Sequence, residues 1–173
     1  MNFSVDIEAD GAIPGPYSMT EFGIVVIDGK FNRTFHGQMS PISDRWDPNA
    51  LAISGRTRDE VLSWRDPAEV MTEAVDWVRR MTPKNDKSVF WSDNNGFDFM
   101  FWHWYAINFC GEDPFGYSSV NLKNMMQGQL RRFNVKDDIK ACKKTPHDHN
   151  PVNDAKGNAE VIWQILRGFR DET

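Results

Sequence analysis

Phe3-Ser4-Val5-Asp6-Ile7-Glu8 alternates strictly between apolar and polar side chains. A period of two is that of a strand with one buried face, so Phe3, Val5 and Ile7 turn one way and Ser4, Asp6 and Glu8 the other. Asp6 and Glu8 therefore share a face. On a sheet covered by helices two ionised carboxylates repel, and each tends to protonate unless a cation lies between them. Magnesium or manganese resolves the conflict, because hard cations prefer carboxylates, water and phosphate oxygens. The alternative is a solvated strand face, with both acids in open water.

A second strand is expected at roughly Phe22 to Ile27, turning at Asp28-Gly29 into a third, Phe31 to Gln38. Residues 40 to 65 have the pattern of a loop-rich insertion with short helices, one opening at the capping box Thr57-Arg58-Asp59-Glu60. Asp66 caps the next helix, with Pro67 in its first turn and Glu69 completing the cap. Its apolar residues Val70, Ala74, Trp77, Val78 and Met81 recur at helical spacing. Ser88 to Ser92 reads as a short buried strand and Asn94-Asn95-Gly96 as a turn. Phe97 to Phe109 is apolar on nearly every face and is expected as a buried helix. A strand near Tyr117 to Val120, a helix near Leu122 to Phe133 and a last helix from Asn150-Pro151 to about Phe169 follow. A meander followed by alternating strands and helices implies an α/β chain, a mixed sheet flanked by helices, with residues 1–173 forming one domain.

Composition narrows the function classes. The chain has 173 residues, 40% of them hydrophobic, and no apolar run long enough to span a bilayer. The start, Met1 to Asp6, lacks the basic and apolar regions of a signal peptide. Cys110 and Cys142 have no close partner spacing, so free thiols in a reducing, cytoplasmic setting are expected, with no membrane partner. The net charge of −5 excludes a generic nucleic-acid magnet. Any nucleic acid must be held by a local basic patch or by bound cations.

Two further groups carry chemistry. Asp98 is the only acid in the aromatic run Phe97 to Phe109, and a buried charge there needs a partner; the bland reading is an acid at a helix start. In His149-Asn150-Pro151-Val152-Asn153-Asp154, Asn150 suits an N-cap and Pro151 a first helical position. That places His149 just outside the helix and Asp154 one turn in. An imidazole beside a metal-loaded carboxylate site is a natural general base for a water nucleophile. His147 and Asp148 lack further ligands at suitable spacing and are taken as loop neighbours, while His36 and His103 suit a strand surface and a helix.

At this point the set resembles a known family. Asp6-Ile7-Glu8, Asn94-x-x-Phe97-Asp98, and His149 with four residues before Asp154 resemble the three motifs of the DEDDh 3′–5′ exonucleases. That group includes ribonuclease T, oligoribonuclease and the proofreading subunit of polymerase III, and the small build is most similar to exoribonucleases of the ribonuclease AS type. The resemblance implies a ribonuclease H-like five-stranded mixed sheet and two Mg²⁺ or Mn²⁺ ions. Asp6 would bridge both ions, Glu8 and Asp154 would hold one, and Asp98 would complete the set directly or through water. His149 would take the proton from the attacking water, and nucleoside 5′-monophosphates would leave one at a time from a 3′ end. The implied partner is single-stranded nucleic acid, RNA favoured over DNA, with a possible homodimer. An inactive binding module on the same fold is the rival from another class, and all five filled positions stand against it.

For substrate contacts, Tyr17 and Met19 lie in the loop after the first motif, where Gly15-Pro16-Tyr17-Ser18-Met19 departs from the shorter segment of ribonuclease T. They are the expected wedges, since loops lie at the surface. Trp102 and Tyr105 fall on the Asp98 side of the helix; core packing is the favoured reading for both, and stacking against a base is the functional alternative, for which Trp102 is the candidate. Asn94 belongs to the second motif. Lys143 and Lys144 end a basic run, Arg131 to Lys144, that is a solvated face or a set of phosphate contacts beside His149.

Overall fold

The computed structural model describes residues 1–168; the expected end of the last helix at Phe169 lies outside the described residues. Strand β1 (Asn2–Ala9) pairs antiparallel with β2 (Met19–Val26), which pairs antiparallel with β3 (Thr34–Gln38). On its other side β1 runs parallel to β4 (Val89–Ser92), and β4 parallel to β5 (Ser119–Asn121). The order β3-β2-β1-β4-β5 is the expected mixed five-stranded sheet, with an antiparallel meander on one side and parallel strands on the other. The hairpin turn is longer than Asp28-Gly29 alone. Asp28 Oδ1 accepts the N–H groups of Lys30 and Phe31, which delays β3 to Thr34.

The alternation in β1 sorts the two layers. Phe3, Val5 and Ile7 enter one core with α3 (Pro67–Met81) and α4 (Asn95–Cys110). The opposite face of the sheet is covered by α7 (Pro151–Arg167), whose Ala155, Ala159 and Ile162 pack with Val25 and Trp91. Gly23 makes that covering possible. A Cβ there would lie 2.3 Å from the Pro151 carbonyl and 2.5 Å from Val152 N, so the start of α7 rests directly on β2. Asp66 and Asn150 cap α3 and α7 through their side chains, as their sequences demand.

The insertion forms α1 (Pro48–Ile53) and α2 (Arg58–Leu62), the latter capped by Thr57, which accepts the Glu60 N–H at 3.2 Å. Arg58 donates to the fully buried Asp10 at 2.8 Å, and the Asp47 N–H donates to the Asp10 carbonyl at 2.7 Å. These bonds hold the insertion against the end of β1. Beyond β5, α5 (Leu122–Leu130) agrees with expectation but stops before Phe133. An unexpected helix, α6 (Lys136–Cys142), follows.

Three sequence expectations change. Helix α4 begins at Asn95, so Asn95 and Gly96 belong to its first turn, with Asn94 at the cap position. It buries one face only, through Asp98, Phe101, Trp102, Tyr105 and Ala106, while Ile107 is 42% exposed. Met19 is not a surface wedge: it is the fully buried first residue of β2, its N–H donated to Tyr105 Oη at 2.8 Å. Among the described residues no helix is long and apolar enough to cross a membrane, and Cys110 and Cys142 are free thiols.

Candidate active site

The C-terminal half of β1 supplies the floor. Its pairing with β2 shifts register between Glu8 and Ala9, an irregularity that ends the regular ladder beside the two acids. Asp6 and Glu8 lie on the α7 face, as the alternation requires. The first turn of α4 adds Asp98 and the first turn of α7 adds Asp154, each 3% exposed. Asp6, Glu8 and Asp154 each offer an oxygen, and these atoms all lie within 4.8 Å of one another. Asp98 stands outside that group but lines the same cleft as Asp6 and Glu8.

Electrostatics mark the cluster as unfinished. Burial pushes Asp6 well above the usual carboxylate range, with repulsion from Asp98, Glu8 and Asp154 adding to it and the Lys143 ammonium opposing. Burial likewise raises Glu8 to about 7, helped by Asp154 and Glu21 and opposed by Arg56. Asp98 is raised to about 7, chiefly by burial. Asp98 Oδ2 and Asp154 Oδ2 are buried without a hydrogen-bond partner among the described residues. Buried acceptors left unpaired are costly, so this hard-oxygen set fits divalent cations rather than an empty core.

The histidines sit on the segment between α6 and α7, which has no regular structure. Both ends of that segment are fixed. Glu160 of α7, itself buried, accepts the Thr145 N–H at 3.0 Å and the Thr145 hydroxyl at 2.9 Å, and also the Lys144 N–H. Further on, the Asp148 N–H donates to Asp154 Oδ1 at 3.2 Å, and Asn153 Nδ2 donates to Asp148 Oδ2 at 2.9 Å. His149 is exposed and adopts a left-handed backbone, φ 59°. His147 Nδ1 approaches Asp154 Oδ2 to 2.8 Å, outside hydrogen-bonding geometry, and the two imidazoles are 4.4 Å apart.

A cleft of about 420 Å³ opens over the acids. Ile7, Ala12, Ala50, Ile53 and Phe97 give it apolar walls, and Asp47, Asn94 and His147 add polar groups. Of the expected substrate contacts, Asn94 lines this cleft and the Lys143 charge reaches Asp6. Trp102 does not: it is fully buried and donates through Nε1 to Asp113 at 3.0 Å. Tyr17 stands behind the wall rather than in it. Its ring fills the space where a Gly11 Cβ would lie, and Arg45 Nε donates to its hydroxyl at 3.1 Å. Lys144 is exposed and engages Glu160 through its backbone.

Sequence reasoning missed the insertion's contribution. Ile53 is 59% exposed on the cleft rim, and an exposed aliphatic residue at the end of a six-residue helix has no distinguishing signal. It also missed the ion cluster beside Glu8, where Arg56 donates twice at 3.0 Å to the buried Glu21, the cross-strand neighbour of Glu8. The pairing of β1 with β2 is the signal that finds it, because opposed residues share a face.

No protein-family model matches the sequence. The chain is 29% identical over 168 residues to the 3′–5′ DNA exonuclease Cap18 of Escherichia coli, covering 94% of this chain and 89% of the relative. Among solved structures, the nuclease domain of 3′hExo, a DEDDh family member bound to rAMP, superposes with a TM-score of 0.75 at 15% identity, covering 96% of this chain and 91% of that one. E. coli exonuclease I with a dT13 oligonucleotide gives a TM-score of 0.73 at 17% identity, over 96% of this chain and 41% of that longer chain.

Proposed function

We propose that the chain is a 3′–5′ exonuclease of the DEDDh type and that it hydrolyses single-stranded DNA from the 3′ end through Asp6, Glu8, Asp98, Asp154 and His149. The observation that carries this reading is that Asp6, Glu8 and Asp154 bring oxygens within 4.8 Å of one another, that Asp98 lines the same cleft as Asp6 and Glu8 and repels Asp6, and that a buried oxygen of Asp98 and one of Asp154 are left unpaired. Asp6, Glu8, Asp98 and Asp154 would hold two divalent cations, magnesium or manganese. Bound there, the cations supply positive charge toward the scissile phosphate and its leaving oxygen. His149, exposed at the mouth of the site, accepts the proton of the attacking water. Lys143 offsets the negative field at Asp6, and Asn94 offers a polar contact on the cleft wall. Ile53 and Phe97 give apolar surface against which a terminal base packs.

Cap18 supports DNA as the substrate, since its likeness extends over nearly the whole chain. RNA is the second reading, favoured by the likeness to a nuclease domain bound to rAMP. The two sugars differ in the 2′-hydroxyl. Matched single-stranded DNA and RNA, labelled at the 5′ end and digested with Mg²⁺, separate the readings. DNA shortened at least tenfold faster supports the first, and the reverse ratio establishes the second.

A further inference from the structure

We propose that His147, His149 and Asp154 form a second cation site, for zinc-class ions, that shares Asp154 with the acid cluster and whose occupation silences the exonuclease. The blocking half rests on the role given above to His149; the binding half does not. One ligand atom from each of the three residues lies within 4.8 Å of the others. His147 Nδ1 and Asp154 Oδ2 are already 2.8 Å apart. Ligands about 2.0–2.1 Å from a tetrahedral zinc stand roughly 3.3 Å from each other, so small rotations of two exposed rings complete the set. Asp154 is 3% exposed and its Oδ2 has no hydrogen-bond partner, so a buried acceptor lies unpaired beside the His147 imidazole. Their rings are tilted by 66° rather than stacked. The bonds to Glu160 and to Asp154 hold the segment that bears them.

Ligand chemistry separates this site from the carboxylate floor. Imidazole nitrogen suits zinc, nickel and copper, whereas magnesium prefers an all-oxygen shell. Two histidines and one carboxylate leave a fourth position for water, a common zinc arrangement. A cation here ties up a nitrogen of His149, which then cannot accept a proton, and draws Asp154 away from the acids on β1. The chain would run on hard cations and stop on borderline ones.

Cobalt serves as the visible probe, titrated into the full chain without magnesium. One equivalent is expected to produce the strong visible absorption of four-coordinate nitrogen-ligated cobalt, which zinc then displaces. His147 is 60% exposed, so His147→Ala leaves the core intact. That variant is expected to bind zinc at least ~10-fold more weakly. It should also need at least ~10-fold more zinc to halve its own Mg²⁺-dependent turnover, measured relative to the same variant without zinc. Absence of the cobalt band, or zinc binding and inhibition unchanged in His147→Ala, overturns the proposal; the latter would put the inhibitory ion on the carboxylates. A cobalt band lost in His147→Ala, with no Mg²⁺-dependent cleavage by wild type, would uphold the binding site and overturn both the silencing and the exonuclease reading.

Discussion

Asp98 and Asp154 are each 3% exposed and stand in the first turns of helices, whereas His147 is 60% exposed on a segment with no regular structure. Both regions open onto one cleft, but they are built differently. The acids are fixed by the sheet, by α4 and by α7, which Gly23 allows to lie against β2. The histidines are fixed only at the ends of their loop, through Glu160 on one side and Asp154 on the other. The carboxylates proposed to hold hard cations sit on rigid elements, which keep them converged without adjustment. A group that exchanges protons with water benefits from exposure, and an anchored loop provides that.

Asp98→Asn tests the rigid half and should have the largest effect, a loss of turnover on the order of a thousandfold or more. Stability should move the other way. Burial holds Asp98 up at about 7, whereas in the unfolded chain an aspartate titrates near ~4. The folded metal-free protein therefore keeps a proton that the unfolded chain has released. The stability this contributes is complete below ~4 and is lost as pH rises through about 7. Metal-free wild type should lose thermal stability relative to Asp98→Asn across that window, and added Mg²⁺ should narrow the gap. Parallel melting curves of the two proteins from acid to neutral pH would contradict the unpaired-carboxylate account.

His149→Ala tests the loop half. Turnover should fall roughly 10²–10⁴-fold while manganese binding, followed by its paramagnetic resonance, stays close to wild type. Loss of manganese binding would mean that the histidine is part of the carboxylate site after all. Glu160→Ala sharpens the contrast by releasing one anchor. It leaves the Thr145 and Lys144 N–H groups without their acceptor, at a cost of about 1–3 kcal/mol. Turnover should drop about tenfold or more with manganese binding retained, read by the same pair of measurements. Ile53→Ala should have the smallest effect, raising KM about fivefold at unchanged kcat, because only about 1 kcal/mol of apolar contact is lost.

The legibility of the sequence divides along the same line. Strand β1 declared its two faces because strict alternation has one structural solution, and Asn150-Pro151 declared the start of α7 because cap chemistry is local. Those two features put Asp6 and Glu8 on one strand face and Asp154 one turn into α7 without any tertiary contact. Met19 was misjudged because Gly15-Pro16 signals a loop, while β2 begins three residues after Pro16 and buries its first side chain. Helix α6 was missed because it buries no residue and its N-cap, Val135, makes no side-chain bond. The approach of His147 to Asp154 depends on how a loop folds back between distant anchors, which spacing does not encode. Trp102 faced the expected side of α4, but that side continues from Asp98 into the core.

The most direct test is a time course of a 5′-end-labelled single strand with Mg²⁺, comparing wild type with Asp98→Asn at equal concentration. The account predicts a ladder shortening one nucleotide at a time from the 3′ end for wild type, mononucleotide 5′-phosphates as products, and essentially intact strand for the variant. Internal cuts, removal from the 5′ end, or equal cleavage by Asp98→Asn would contradict it.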